Sequence, residues 1–286
     1  MLVTLNDILP QAREAHYAVP AFDCMEDVMI RTLLDTAEQE KSPIVLMALE
    51  HDLQGRGLTY ISGLVRAVAD SYDIPVVLHL DHADNLDIIK KAIDYGFTSV
   101  MYDGSQLPFQ DNVARSREVV HIAHGHGVTV EAELGLVAGK DIHGEDYPGN
   151  GESLLTAPQE VVEFVTQTEV DALAVSIGTS HGVYISLPKL DIERLEEINK
   201  ISLVPLVLHG GSNTPVDQLQ NAICHGISKI NVYADLRVEM LKGLKKSANS
   251  HIRQDPLPDA LFRPIREGLS HVAAARMEMF FSKNRV

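Results

Sequence analysis

Tryptophan is absent from this 286-residue chain, cysteine occurs twice, and basic residues are few beside acidic ones. Each shortage excludes something. Two cysteines, Cys24 and Cys224, cannot build a disulfide framework, so a reducing cytoplasm is the expected setting. Lys and Arg number 24 against 40 Asp and Glu, a formal net charge of -16. Such a chain repels phosphate backbones, so nucleic acid is not an expected partner. No apolar run reaches the roughly 20 residues that span a bilayer, so no membrane association is expected. The N-terminus lacks a basic stretch followed by an apolar one and does not read as a signal peptide. What is plentiful is histidine, at 13 residues.

The organisation is a repeated alternation of short β-rich runs with helix-length segments of mixed polarity. The runs begin at Tyr17, Pro43, Pro75, Thr98, Val128, Asp171, Val204 and Ile227. They are near-continuous Val, Ile and Leu rather than strictly alternating, the pattern of parallel strands covered on both faces. Helices are predicted at Met25–Gln39, Thr59–Ser71, Leu86–Tyr95, Asp111–His124, Pro158–Gln167 and Pro215–His225. Asp84 or Asn85 would cap the third of these, and Thr156 the fifth. Gly96, Gly127 and Gly226 sit where helices should end. Eight such units fit an α/β fold, the (β/α)₈ TIM barrel, whose usual size is about 250 residues. An open doubly wound sheet is the second reading; the chain has no G-x-G-x-x-G after its first strand, which weakens it. One domain over 1–286 is expected, with a mobile Gly-rich loop near 136–153 and a C-terminal helical extension from about residue 259.

A barrel carries its site at the C-terminal ends of its strands. The polar residues that fall there are His79, Asp81, His82, Asp103, Glu131, Glu133, His181, His209 and Asn231. His82, His181 and His209 together suit a divalent metal with a position left open for substrate. His79 alternates with the strand interior and reads as a packed histidine. Asp81 is placed to meet a polarised substrate oxygen, or else to orient a ligand histidine. Asp103 and Glu133 are further ligands, or orient the histidines, or pair with Lys229. The segments after the seventh and eighth runs, Gly210-Gly211-Ser212 and Asn231 to Ala234, stand where barrels commonly bind phosphate through backbone N–H groups.

In order and spacing from about residue 5 to 245, these residues resemble the class II, zinc-dependent ketose-bisphosphate aldolases of the tagatose and fructose branch. The resemblance runs through Tyr17 to Phe22, His79-Leu80-Asp81-His82, Ser99 to Ser105 and Glu131 to Gly135. It continues through Asp171 to Gly182, Pro205 to Ser212 and Lys229 to Val232. It implies Zn²⁺ held by His82, His181 and His209, with Asp103 and Glu133 lining an alternative metal site. It implies Asp81 as the group that polarises or protonates the aldehyde oxygen. It implies a donor-phosphate site at Gly182, Gly210, Gly211, Ser212, Asn231, Val232, Tyr233 and Ala234, assisted by a monovalent cation (Na⁺ or K⁺). The implied substrate is a ketose 1,6-bisphosphate cleaved to dihydroxyacetone phosphate and an aldehyde, by a homodimer or homotetramer.

The departures are specific. Asp23 stands where the family reads Asn. Asn213 stands where it reads Gly, and Ala234 removes a hydroxyl from the phosphate segment. On the loop, Asp141 aligns with a Glu that serves as the base. Asn213 and Ala234 motivate a second reading, an aldolase of the same fold for a different or unphosphorylated sugar; the altered loop base motivates a third, a non-catalytic metal- or sugar-binding barrel.

Overall fold

Eight parallel strands close on themselves in a computed structural model that describes residues 1–137, 139–140, 146–147, 154–180, 188–250 and 254–286. They are β1 (Val19–Asp23), β2 (Ile44–Leu49), β3 (Val76–Ala83), β4 (Ser99–Tyr102), β5 (Thr129–Leu134), β6 (Ala172–Val175), β7 (Leu206–Leu208) and β8 (Ile227–Val232). Each pairs in parallel with the next, and β8 returns to pair with β1, so no edge is left open. The (β/α)₈ barrel is therefore the architecture, and the open sheet is not. Between β5 and β6 lies a short antiparallel ribbon, with Gly139 opposite Tyr147 and Lys140 opposite Asp146.

The helices on the outside are α2 (Asp27–Glu40), α3 (Gly57–Val68), α4 (Leu86–Asp94), α5 (Phe109–His124), α6 (Pro158–Thr168), α7 (Ile192–Ile201), α8 (Val216–Cys224) and α9 (Ala234–Ser250). Their boundaries lie within two residues of the sequence pattern where one was visible, except that α3 ends at Val68, three residues before the expected Ser71, where a 3-10 turn takes over. Three helices were not visible: α1 (Leu9–Glu14), α7 and α9. The first is six residues long, too short to show a period. Asn85 caps α4 by accepting from Asp87 N at 2.8 Å. Thr156 does not cap α6, whose preceding residue is Ala157. Instead its hydroxyl ties β5 to the end of β6, donating to Leu134 O and accepting from Ser176 N.

Period-2 alternation separates two apolar regions. Ala18, Phe22, Ile44, Leu46, Leu78, Leu173 and Leu208 face outward and meet the helices. Val19, Ala21, Val45, Met47, Val77, Ala172, Ala174 and Val207 face the barrel axis. The inner group is completed by Leu5, Ile8, Leu9, Ala12 and Tyr17, so the N-terminal segment and α1 plug the end where the strands begin. Leu5 N donates to Thr129 Oγ1 at 3.2 Å, and Arg13 donates to the carbonyls of Asn199, Ser202 and Val204. A last helix, α10 (Pro258–Met279), buries Ile265, Leu269, Ala273 and Met277 against α2 and α9 and is pinned by the Arg276–Asp235 ion pair. No helix among the described residues is long and apolar enough to cross a membrane.

Candidate active site

Following the inward-facing positions toward the open end, the side chains change from aliphatic to ionisable. On β1 the series is Val19, Ala21, Asp23; on β3 it is Val77, His79, Asp81; on β5 it is Thr129, Glu131, Glu133. On β7 Val207 is followed by His209, and β8 presents Lys229 and Asn231. One alternation thus brings carboxylates, imidazoles and one ammonium to a single rim.

Asp81 and His82 are adjacent in sequence, and a regular strand would point them to opposite faces. The chain resolves this locally. His82 adopts φ +46°, and the register against β4 shifts between Leu80 and Ala83. This bulge returns His82 to the rim, where its Nδ1 lies 2.8 Å from Asp103 Oδ2. His209 lies with its ring centroid 4.5 Å from that of His82, edge to face. Its Nε2 is 2.9 Å from Glu131 Oε1, and its Nδ1 is 3.2 Å from Glu133 Oε2. Behind them Lys229 Nζ donates to Glu131 Oε2 at 2.8 Å and to Asn231 Oδ1 at 2.9 Å. Asn231 in turn donates to Asp81 Oδ1 at 3.1 Å. His79 is fully buried, with Nδ1 2.8 Å from Ser99 Oγ, and belongs to the packed interior.

The electrostatics follow from this crowding. Burial opposes ionisation of Asp81, but His82, His209 and Lys229 draw its pKa below the ordinary value. Burial likewise opposes charge on His82, yet Asp81 and the bond to Asp103 hold its pKa at about 10. Burial and Asp103 push the Glu133 carboxyl up. For Glu131, burial is overcome by Lys229 and His209, which hold it well below the usual range.

Four buried or half-buried carboxylates, Asp81, Asp103, Glu131 and Glu133, face one lysine, so the rim carries an excess of negative charge that suits a divalent cation. Donor atoms of Asp81, His82 and His209 lie within 4.8 Å of one another, as do those of His82, Asp103 and Glu133. Imidazole with carboxylate is a borderline-hard set that fits zinc or a similar first-row metal. His181, expected as a third imidazole, and Gly182 and Asp141 lie outside the described residues. The chain as far as Ser180 runs against the turn after β7: a Cβ at Gly210 would lie 2.5 Å from Ser180 O, and Gly210 itself has φ +69°.

The expected donor-phosphate residues separate by role. Ser212 Oγ accepts from Tyr233 N at 3.2 Å and Asp235 N at 3.4 Å, tying the β7 turn to the start of α9. Asn231 spends its side chain on Asp81 and Lys229. Val232 points into the outer core, so only its backbone is available. Tyr233 and Ala234 are half-buried at the head of α9, with the Arg237 guanidinium 4.8 Å above the Tyr233 ring. The sequence reading undervalued Glu131 and Lys229. Both share the parity of Glu133 and Asn231, which was the available signal. Lys229 pairs with Glu131, and not with Asp103 or Glu133 as one reading had it.

An eight-stranded parallel barrel whose rim gathers His, Asp and Glu donors is a framework suited to metal-assisted catalysis. The chain matches the family model described as Fructose-bisphosphate aldolase class-II over residues 3–285. It is 36% identical to the fructose-bisphosphate aldolase of Helicobacter pylori strain J99, covering 100% of both chains. It is also 36% identical to the probable fructose-bisphosphate aldolase of Bacillus subtilis, covering 99% of each. Among solved structures it superposes on the YdjI aldolase from Escherichia coli K12 with a TM-score of 0.88 at 29% identity, covering 100% of this chain and 99% of that one. The chain belongs to the class II fructose-bisphosphate aldolase family and is a lyase.

Proposed function

We propose that the chain catalyses reversible retro-aldol cleavage of a phosphorylated ketose, giving dihydroxyacetone phosphate and an aldehyde, with Zn²⁺ as the metal. The observation that carries this reading is Asp81, which is 5% exposed, fixed by Asn231, and within 4.8 Å of the donor atoms of His82 and His209. His82 and His209, with His181 in sequence position to join them, would hold the metal, with Asp103 and Glu133 as neighbouring or alternative ligands. When bound, the metal supplies Lewis-acid polarisation of the donor carbonyl.

The chain's own residues then divide the proton chemistry. As the carbon–carbon bond breaks, the hydroxyl proton of the nascent aldehyde passes to Asp81. Its ionised state, favoured by His82, His209 and Lys229, suits it to receive that proton. The Lys229–Asn231–Asp81 chain keeps the carboxylate aimed. The donor fragment regains a proton at carbon, and we assign that transfer to Asp141 on the loop. The turn at Gly210 to Ser212 and the head of α9 receive the donor phosphate through backbone N–H groups other than those of Gly211, Tyr233 and Asp235, which are bonded within the chain, with a Na⁺ or K⁺ ion beside it. Fructose and tagatose 1,6-bisphosphates are the first substrates to consider, and a different or unphosphorylated sugar is the second.

The test is deuterium exchange into dihydroxyacetone phosphate, and cleavage of the candidate ketoses, with zinc-loaded and chelated protein. Chelator-sensitive exchange and cleavage are expected. His209→Ala should lose both, whereas Asp81→Ala should keep exchange and lose cleavage. No exchange at full zinc occupancy would sink the reading.

A further inference from the structure

One buried group at the rim is not used by this chemistry. Asp23 ends β1 and is 2% exposed, and neither of its carboxylate oxygens makes a well-formed hydrogen bond among the described residues; the backbone N–H of Cys24 is near enough to act on it but is bonded to Met47 O. Burying such a group without a partner costs free energy, so an uncompensated one calls for a ligand. Asp23 shares the inner face with Val19 and Ala21, so it points into the barrel mouth. It is level in register with Met47, which is itself level with His79, two residues before Asp81 on the same inward face.

The surroundings are acidic. Asp52 and Asp81 both act on Asp23, and together with burial they raise its pKa well above the ordinary value. Asp52 is already engaged: its Oδ1 lies 2.7 Å from His51 Nε2, and its Oδ2 accepts from Leu49 N at 3.3 Å. The cation that acts on Asp23 is Arg237, which is exposed and stacked over Tyr233. Asp23 is also not among the carboxylates whose donor atoms cluster for a metal among the described residues.

The order around the rim gives Asp23 its place in the reaction. From β3, which carries Asp81, the barrel runs through β2 and β1 to β8, which leads to the donor-phosphate turn. The donor end occupies the β7–β8 arc and the metal ligands lie on β3 and β7. Of the arcs these groups leave open, that of β1 and β2, where Asp23 stands, lies beside Asp81 and is open to the aldehyde's chain.

We infer that Asp23 is an acceptor-specificity residue that takes hydrogen bonds from the hydroxyls of a neutral polyhydroxy aldehyde and disfavours a phosphorylated one. The inference rests on the aldolase reading above. A hydroxyl supplies the donor that Asp23 lacks. A phosphate dianion offers only acceptors and brings a further negative charge into a site where burial, Asp52 and Asp81 already oppose charge on Asp23. The substrate is then a ketose phosphorylated at the donor carbon and free at its other end.

The experiment compares condensation of dihydroxyacetone phosphate with glyceraldehyde and with glyceraldehyde 3-phosphate in zinc-loaded protein. The wild type should prefer the neutral aldehyde by about tenfold or more in kcat/KM, the scale of one hydrogen bond to a charged group. Asp23→Asn should lower that ratio by a similar factor, chiefly through KM for glyceraldehyde. Its Tm should stay level or rise, because an unpaired buried carboxylate is removed; a merely structural Asp23 would lower it. Asp23→Glu, which keeps the carboxyl group, should retain the preference. Equal or better use of the phosphorylated aldehyde by the wild type, or an unchanged ratio in Asp23→Asn, would overturn the proposal alone. Absence of donor exchange in the wild type would overturn the aldolase reading and this proposal with it.

Discussion

The two ends of the barrel are made from the same strands and obey opposite rules. At the closed end, Leu5, Ile8, Leu9, Ala12 and Tyr17 fill the axis, and the polar groups nearby are satisfied within the chain. At the open end, carboxylates and imidazoles are buried at a density that no folding requirement explains, and Asp23 keeps both oxygens unpartnered. The difference teaches where this molecule is stabilised and where it holds chemistry at a cost in stability. The layer of Glu131, Lys229 and His79 lies between them and belongs partly to each.

That contrast can be broken or sharpened by measurement. The largest effect should come at the rim and in activity. Asp81→Asn should lower kcat for cleavage by about 10²–10⁴-fold, the usual worth of a positioned proton-transfer group, with Tm little changed. Steady-state kinetics beside calorimetry would check both halves. In the intermediate layer, Lys229→Met leaves Glu131 buried without its cation and should cost about 3–5 kcal/mol of stability. Urea unfolding should also show Lys229→Met with Glu131→Gln to be milder than Lys229→Met alone. At the closed end, Leu9→Ala removes a fully buried side chain and should cost about 2–5 kcal/mol while kcat at room temperature stays unchanged. If its kcat fell as well, the separation of the two ends would be wrong.

Smaller effects come from protonation and single hydrogen bonds. Burial, with Lys229 nearby, lowers the His79 pKa from 6.5 to about 3. The unfolded chain therefore binds a proton below pH 6.5 that the folded chain refuses. Stability should fall as pH drops from about 6.5 toward 3, by on the order of 1 kcal/mol per unit, and should be free of this loss above 6.5. In His79→Gln the slope between pH 5 and 6.5 should be shallower by that amount. The smallest change is Asn6→Ala, which removes a 2.6 Å bond to Asp171 at the closed end. About 1 kcal/mol of stability and no activity should be lost, as judged by chemical denaturation.

Much of this was legible in the residues. The eight apolar runs marked the strands, because parallel strands buried on both faces leave no room for polar residues in mid-strand. His82, His209, Asp81, Asp103 and Glu133 could be named because they follow those runs directly. Glu131 and Lys229 were harder to read, since each sits inside a strand and is tolerated there because the other is 2.8 Å away across 98 residues of sequence, with His209 and Asn231 completing their bonds. Helix α1 was missed because six residues show no period, and Thr156 was misassigned because its partners lie on β5 and β6 rather than on its own helix.

By itself, then, the sequence determined the elements, their order and the residue types gathered at strand ends. These are local matters of periodicity and composition. Tertiary structure alone decided which of those residues meet. The left-handed turn at His82 put it beside Asp103 rather than on the outer face, closure of β8 on β1 brought Asn231 to Asp81 and left Asp23 facing the mouth without a partner, and Lys229 was committed to Glu131. Contacts between distant strands depend on barrel closure and register, and neither is written in any one segment.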